Sequence, residues 1–476
     1  GIRDGEVVRH GTIANHRRLT GRHPNIKGNR MALHSEKRFF YRGTDGYEAA
    51  RRETVWNNIL PDRFPDVIMQ ACEAKDVVAA LRFARAHGYR VGVRSGGHSW
   101  NASHLRDGGM LLDVSRLDHC SVDTDRMIAR VGPGKIASVF ATELDAQGLF
   151  FPAGHCEGIR LGGYLLQGGY GWNSKVVGPA CESVLGLEVV TADGEKVYCD
   201  PENHADLYWA ARGSGPGFFG VVTSFTLRLH PRPAVLGTCL YMYPIEVADE
   251  VFSWGRSISS ELDDRVELQI LTSRGAPETG SDGPSITIAS PVFADSEDEA
   301  TKALAALGTC PVIDQATASL PYMPTTLANW YAAVMTKYPE GHRYIVDNMF
   351  TSASAEELLP GIRKIIETMP PHPSHFVFAG WKPSADRTDM VYGLEDEIYL
   401  ALYTAWHDPA DDERYSDWAP SNMAAMSHLA TGISLADENL ARRPAKFITD
   451  PNMARLDKVR AAYDPDELFH SWMARG

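Results

Sequence analysis

From about residue 56 the hydrophobic positions fall into short runs that alternate with longer stretches of helical spacing. Pro65–Met69 reads as a strand, Ala74–His87 sets Val77, Val78, Leu81 and Phe83 at helical intervals, and Arg90–Arg94 reads as a second strand. Further strands are predicted at Met110–Val114, Met127–Val131, Leu185–Val190 and Val221–Leu229, with a helix at Ile136–Gln147 between turn signals. After His230-Pro231-Arg232-Pro233 the glycine-rich punctuation stops and the pattern changes. Strands are then predicted at Arg265–Leu271, Ser285–Phe293, Tyr344–Phe350, His375–Trp381 and Ile398–Trp406, and helices at Glu297–Leu307, Ala355–Thr368 and Ser416–Ala430. Strands and helices without strict alternation predict an α+β architecture, with an antiparallel sheet backed by helices on one face.

Composition narrows the class. The 476 residues carry a net charge of −14, which argues against a nucleic-acid binder that works by neutralising phosphates. No run approaches the ~18 apolar residues of a membrane span. Residues 1–44 form a basic arm, expected to lie on the surface or on a partner subunit of a homo-oligomer. The arm lacks the apolar core of a secretory signal, so a cytoplasmic location is expected over secretion. Seven scattered cysteines without a CxxC pair suggest neither a disulfide framework nor a metal site; most are expected to be small buried hydrophobes.

Glycine is the mild excess, at 42 residues. Gly215–Gly220 matches GxGxxG, but a helical stretch precedes it and a strand follows, the reverse of a dinucleotide fingerprint. Gly134-Lys135 has Ile136 where a phosphate loop needs Ser or Thr. Asn101-Ala102-Ser103 is a sequon read as chance, because it follows a dense glycine motif. That motif, Arg94-Ser95-Gly96-Gly97-His98-Ser99-Trp100, ends a strand in glycines whose backbone N–H groups can converge on an anion, with His98 beside it. A tight turn with a surface histidine reads equally well from these residues alone. Gly154-His155-Cys156, Gly162-Gly163-Tyr164 and Gly168-Gly169-Tyr170-Gly171 make a second glycine loop, and Arg212–Gly215 running into Phe219–Thr223 a third.

Taken in this order, the three motifs and the tail Tyr463–Phe469 resemble the berberine-bridge-enzyme-like family of the vanillyl-alcohol-oxidase fold, with a PCMH-type FAD-binding domain. The resemblance is good over 45–232 and 441–476 and weak over 233–440. It implies a split FAD-binding domain at 45–232, a substrate domain at 233–440 and a C-terminal segment, 441–476, returning to the first. It further implies FAD bonded covalently twice, through His98 and Cys156, with Arg94, Ser95, Gly96, Gly97, Ser99, Gly162, Gly163, Tyr164, Gly168, Gly220 and Val222 around it. The activity implied is an oxidase that takes hydride from the alcohol carbon of a small-molecule substrate, a sugar, aromatic alcohol or secondary-metabolite hydroxyl, with O2 as acceptor and H2O2 as product. Amine oxidation, oxidative ring closure and a catalytically weak flavin carrier remain alternatives.

The catalytic residues fit the family less well. The family's terminal Tyr-x-Asn-Tyr-x-Asp matches Gly432–Asp437 with both tyrosines missing, and Ala401 stands where a Glu or Gln is usual. Period two along Ile398–His407 puts Tyr399, Tyr403 and His407 on one face, so Tyr399 or Tyr403, assisted by Tyr170, is the expected base. Packing under a helix is the other reading of those tyrosines. Asp347, His342 and His375 are weaker candidates on neighbouring strands.

Overall fold

The computed structural model describes residues 38–475. The basic arm therefore lies, as far as residue 37, outside the described residues.

The first sheet carries its strands in the order Phe39–Tyr41, Val67–Gln70, Met110–Asp113, Val91–Arg94, the last three mutually parallel. Helix Ala74–Ala86 makes the connection that parallel strands need. It buries Val77, Ala80, Leu81 and Ala84, one face at helical spacing, and its start is closed by a capping box between Glu73 and Asp76. A second, antiparallel sheet of five strands runs Cys120–Asp123, Ile128–Val131, Val221–Arg228, Val184–Val190, Lys196–Cys199.

The third sheet draws on residues 235–406. Its seven strands, all antiparallel, lie in the order Ala318–Pro324, Val235–Pro244, Pro284–Ala294, Gln269–Arg274, His375–Gly380, Ile398–Trp406, Arg343–Thr351. Alternation decides what each face meets. Tyr241, Ile270, Ile288, Phe378, Leu400 and Leu402 point into a core closed by helices Ala248–Ile258, Glu297–Leu304, Ala355–Glu367 and Trp418–Ala425. Their neighbours along each strand face the other way, towards the glycine loops. The predicted helix-backed antiparallel sheet is thus present.

Strand Val235–Pro244 escaped sequence reading because both its faces are covered, Tyr241 and Tyr243 on one and Leu240 and Met242 on the other, which erases the contrast that marks a strand. The strand expected at Arg265–Leu271 begins instead at Gln269; Val266 contributes only an isolated bridge to Val292.

After helix Asp450–Tyr463 the chain returns to the open edge of the first sheet. The Val91 amide donates to the Leu468 carbonyl at 2.7 Å, and the His470 amide to the Val91 carbonyl at 3.1 Å. Trp472 is fully buried against Gly217, where a side chain would collide with the indole, and donates from Nε1 to the Ser214 carbonyl. This explains the GxGxxG pattern: its middle glycine makes room for a tryptophan.

Candidate active site and cofactor cradle

A cavity of about 750 Å³ lies between the glycine loops and the exposed face of the seven-stranded sheet. It lies within the ordinary range of small-molecule sites. Of the residues expected around a cofactor, Arg94, Ser95, Gly96, Gly97, His98, Ser99, Cys156, Gly162, Gly163, Tyr164, Gly220 and Val222 all line it, as do Tyr170, Tyr399 and Tyr403. Gly168 is a correction: it stands behind the wall, and a Cβ there would lie 2.4 Å from the Tyr392 ring. His407 and His342 face each other outside the cavity, and Asp347 is buried in a two-pronged ion pair with Arg443 at 2.6 Å.

The first loop is built to leave donors free. Among the described residues, the backbone N–H groups of Gly96, Gly97, His98 and Ser99 donate to no protein group. Gly97 has φ +72°, and a Cβ there would sit 2.1 Å from the Thr54 carbonyl oxygen. Arg94 holds the loop from beneath: its guanidinium grips Asp113 at 3.0 and 3.1 Å and reaches the Glu53 and Gly96 carbonyls. Ser95 Oγ accepts from the Gly163 amide at 3.2 Å, tying the first loop to the second, and Gly162 permits that approach because any side chain would strike Ser95 and Pro133. Ser99 closes its own turn through Ser103.

Among the described residues, five buried ring or guanidinium nitrogens on the cavity wall lack a protein partner: Arg94 Nε, His104 Nε2 and His470 Nδ1 on the side of the first loop, and Trp330 Nε1 and His375 Nε2 on the side of the seven-stranded sheet. Unspent backbone amides in a glycine nest, with unpartnered nitrogens beside them, suit a polar ligand carrying an anionic segment. FAD, with its pyrophosphate, fits that donor set. Gly97→Ala is expected to lower stability by at least ~2 kcal/mol and the flavin-to-protein ratio with it, read by thermal denaturation and absorbance, because the αL backbone and the Thr54 contact both oppose a side chain.

His98 stacks on Trp56 with ring centroids 5.2 Å apart and faces Gly158, whose backbone leaves space for the imidazole. Burial, with Arg94 nearby, pushes its pKa down to about 4, so the ring is neutral with a nitrogen lone pair available. Cys156 also lines the cavity, and burial, helped by Asp437, pushes its thiol up to about 12. Tyr164 turns its hydroxyl away from the cavity, donating to the Pro152 carbonyl at 2.6 Å, so it shapes the second loop. The sequon is silent in this fold, since the Asn101 amide is spent on the Glu438 carbonyl.

The opposite wall holds a group the sequence reading named without a role. Asp437 is 9% exposed, and three side chains donate to its carboxylate. Trp100 Nε1 reaches Oδ1 at 2.7 Å, while the Tyr403 hydroxyl at 2.8 Å and the Tyr399 hydroxyl both reach Oδ2. Burial raises the Asp437 pKa against those three hydrogen bonds. Burial and the negative charge of Asp437 together hold both phenols well above their usual range. Neither tyrosine expected as the base is thus held as an anion: among these groups the carboxylate is the hydrogen-bond acceptor and the two phenols are its donors. Tyr170 lies flat on Trp381, ring centroids 3.5 Å apart, and its hydroxyl makes no hydrogen bond among the described residues. Trp381 is in turn held by Glu395, which accepts from Trp381 Nε1 and the Tyr392 hydroxyl and pairs with Arg387. His375 stacks on Tyr403 with centroids 4.8 Å apart.

Comparison with known proteins agrees with this geometry. The family described as "FAD binding domain" matches residues 65–200. The FAD-linked oxidoreductase nodO of Hypoxylon pulicicidum is 30% identical over 438 residues, covering 89% of this chain and 93% of the relative. Among solved structures, 6-hydroxy-D-nicotine oxidase from Arthrobacter nicotinovorans superposes with a TM-score of 0.78 at 22% identity, covering 91% of this chain and 96% of its own. A berberine bridge enzyme variant superposes with a TM-score of 0.76 at 16% identity, covering 92% and 96%.

Proposed function

The chain belongs to the FAD-linked oxidoreductases and carries the fold of the berberine-bridge-enzyme-like proteins, and from that premise we propose that it is an oxidase acting on the CH–OH group of a small molecule, with O2 as final acceptor and H2O2 as product. The observation that carries the reading is the Tyr399–Asp437–Tyr403 cluster on the cavity wall opposite the glycine loops. Bound FAD supplies a two-electron acceptor for the hydride that leaves the alcohol carbon.

The rest falls to the protein. The amides of Gly96–Ser99, with Arg94 Nε, His104 Nε2 and His470 Nδ1, would hold the cofactor's anionic part, and His98 and Cys156 would hold its ring system covalently. The substrate hydroxyl donates to the oxygen of Tyr403 or Tyr399. As that proton moves onto the phenol, the phenol's own proton passes to Asp437 Oδ2, so no free tyrosinate forms. Having lost one proton to the cluster and one hydride from carbon, the substrate leaves as a neutral carbonyl compound. Trp100 keeps the carboxylate oriented through its other oxygen. Tyr170, unpartnered at its hydroxyl, is placed to accept or donate a hydrogen bond to the substrate.

The purified protein is expected to be yellow, to bleach when mixed anaerobically with an alcohol substrate, and to recover in air with one H2O2 per turnover. Bleaching by amines but by no alcohol would instead favour amine oxidation.

A further inference from the structure

Resting on the oxidoreductase reading, we infer that the substrate is an elongated, uncharged and largely apolar alcohol, whose body lies in a trough crossing the seven-stranded sheet away from Asp437. The strand register draws this trough. Tyr399 stands opposite Ala379, and Ala379 opposite Gln269; on the next two strands, Ala289 stands opposite Leu240. A parallel row runs through Val377, Leu271, Thr287 and Met242, each opposite the next. All these side chains face the cavity.

From the strand of Tyr399 to that of Leu240 is four strand spacings, or ~19 Å at ~4.8 Å each. Leu240, Met242, Leu271, Ala289, Val377 and Ala379 put no polar side-chain atom on this floor. The polar exceptions are Thr287 and Gln269, and the Gln269 amide already donates to Glu267. Trp330, Val334 and Met335, from helix Leu327–Met335, line the same cavity, and Trp330 Nε1 is the one unpartnered donor they bring to it. At this end the charged lining residues, Lys337 and Glu278, are paired with each other.

A sugar laid here would lose water from hydroxyls that find few partners, at a cost of ~1–3 kcal/mol each. An apolar body gains from the same surface. The small side chains Ala289 and Ala379 keep the floor low enough for a ring system to slide across.

The test uses the flavin-loaded enzyme with alcohols that share one reacting group and differ in the length of a long-chain or fused-ring body, beside mono- and oligosaccharides. For the alcohols, the second-order rate constant of anaerobic flavin reduction is expected to rise about fourfold per buried methylene until the trough is full, then level off. Ala289→Trp is expected to bring the plateau at a shorter body. Binding is read separately by quenching of tryptophan fluorescence with unreactive hydrocarbon analogues of the same bodies, which are expected to tighten with length. Efficient reduction by saccharides with no length dependence among alcohols would overturn the trough and leave the oxidase reading intact. If nothing reduces the flavin, the analogue titration still decides: length-dependent quenching supports the trough while the oxidase reading falls, and length-independent quenching sinks the trough too.

Discussion

Replacing Asp437 with asparagine is expected to slow anaerobic flavin reduction by about 10³-fold while leaving the flavin in place, within the span usual for removal of a general base. The amide side chain would keep the size of the carboxylate and one acceptor oxygen for the two tyrosines, while its NH2 group would face the Trp100 Nε1–H donor and lose that one hydrogen bond. What it also loses is the ability to take up a proton in a site where burial has raised the carboxylate's pKa. The pH profile provides the decisive signature. A carboxylate with a raised pKa is protonated as pH falls through that value, so the wild-type rate should drop on the acid side at a pH above the ordinary carboxylate range. The variant's residual rate should lack that limb. Tyr399→Phe and Tyr403→Phe, measured the same way, identify which phenol carries the proton; the one that is only structural should retain both rate and limb. An Asp437→Asn enzyme with the wild-type rate and profile would remove Asp437 from the chemistry.

The second large effect concerns how the cofactor is held. Unfolded wild-type protein on a denaturing gel is expected to fluoresce as flavin, because His98 and Cys156 line the cavity that also contains the unspent amides of the first loop. The neutral imidazole of His98 has a free lone pair, whereas the thiol of Cys156, at about 12, ionises only with help from the bound ligand. His98→Ala and Cys156→Ala should each leave a fluorescent band, and the double variant should release all of its FAD on unfolding. Free FAD from the unmodified protein would refute both links.

The glycine loops were legible because their chemistry is local. A backbone nest is written in consecutive residues, so Arg94–Trp100 and Gly162-Gly163 could be placed before any fold was known. The period-two face of Ile398–His407 was legible for a similar reason, and it does put Tyr399 and Tyr403 on the cavity side, although His407 lies beyond the sheet's last cavity-facing position. Asp437 was harder. Its motif had lost both tyrosines, and the phenols that serve it come from a strand more than thirty residues earlier, a pairing only tertiary structure shows. The remaining signal was an aspartate kept at the end of a motif otherwise lost, beside two unexplained tyrosines. The assignment of Gly168 failed because a glycine that admits a neighbouring ring looks in sequence like one that admits a ligand.

The return of residues 468–472 to the edge beside Val91 bears on how the protein matures. His470 and Ser471 form part of the cavity wall, and the edge they complete belongs to a strand made long before them. During synthesis the glycine loops emerge first, but their cavity stays open on that side until the ribosome has also translated the entire substrate-side sheet. Flavin loading is therefore expected late in the life of the chain, since a nascent protein stalled before residue 468 would present the loops without part of the wall that encloses the cavity.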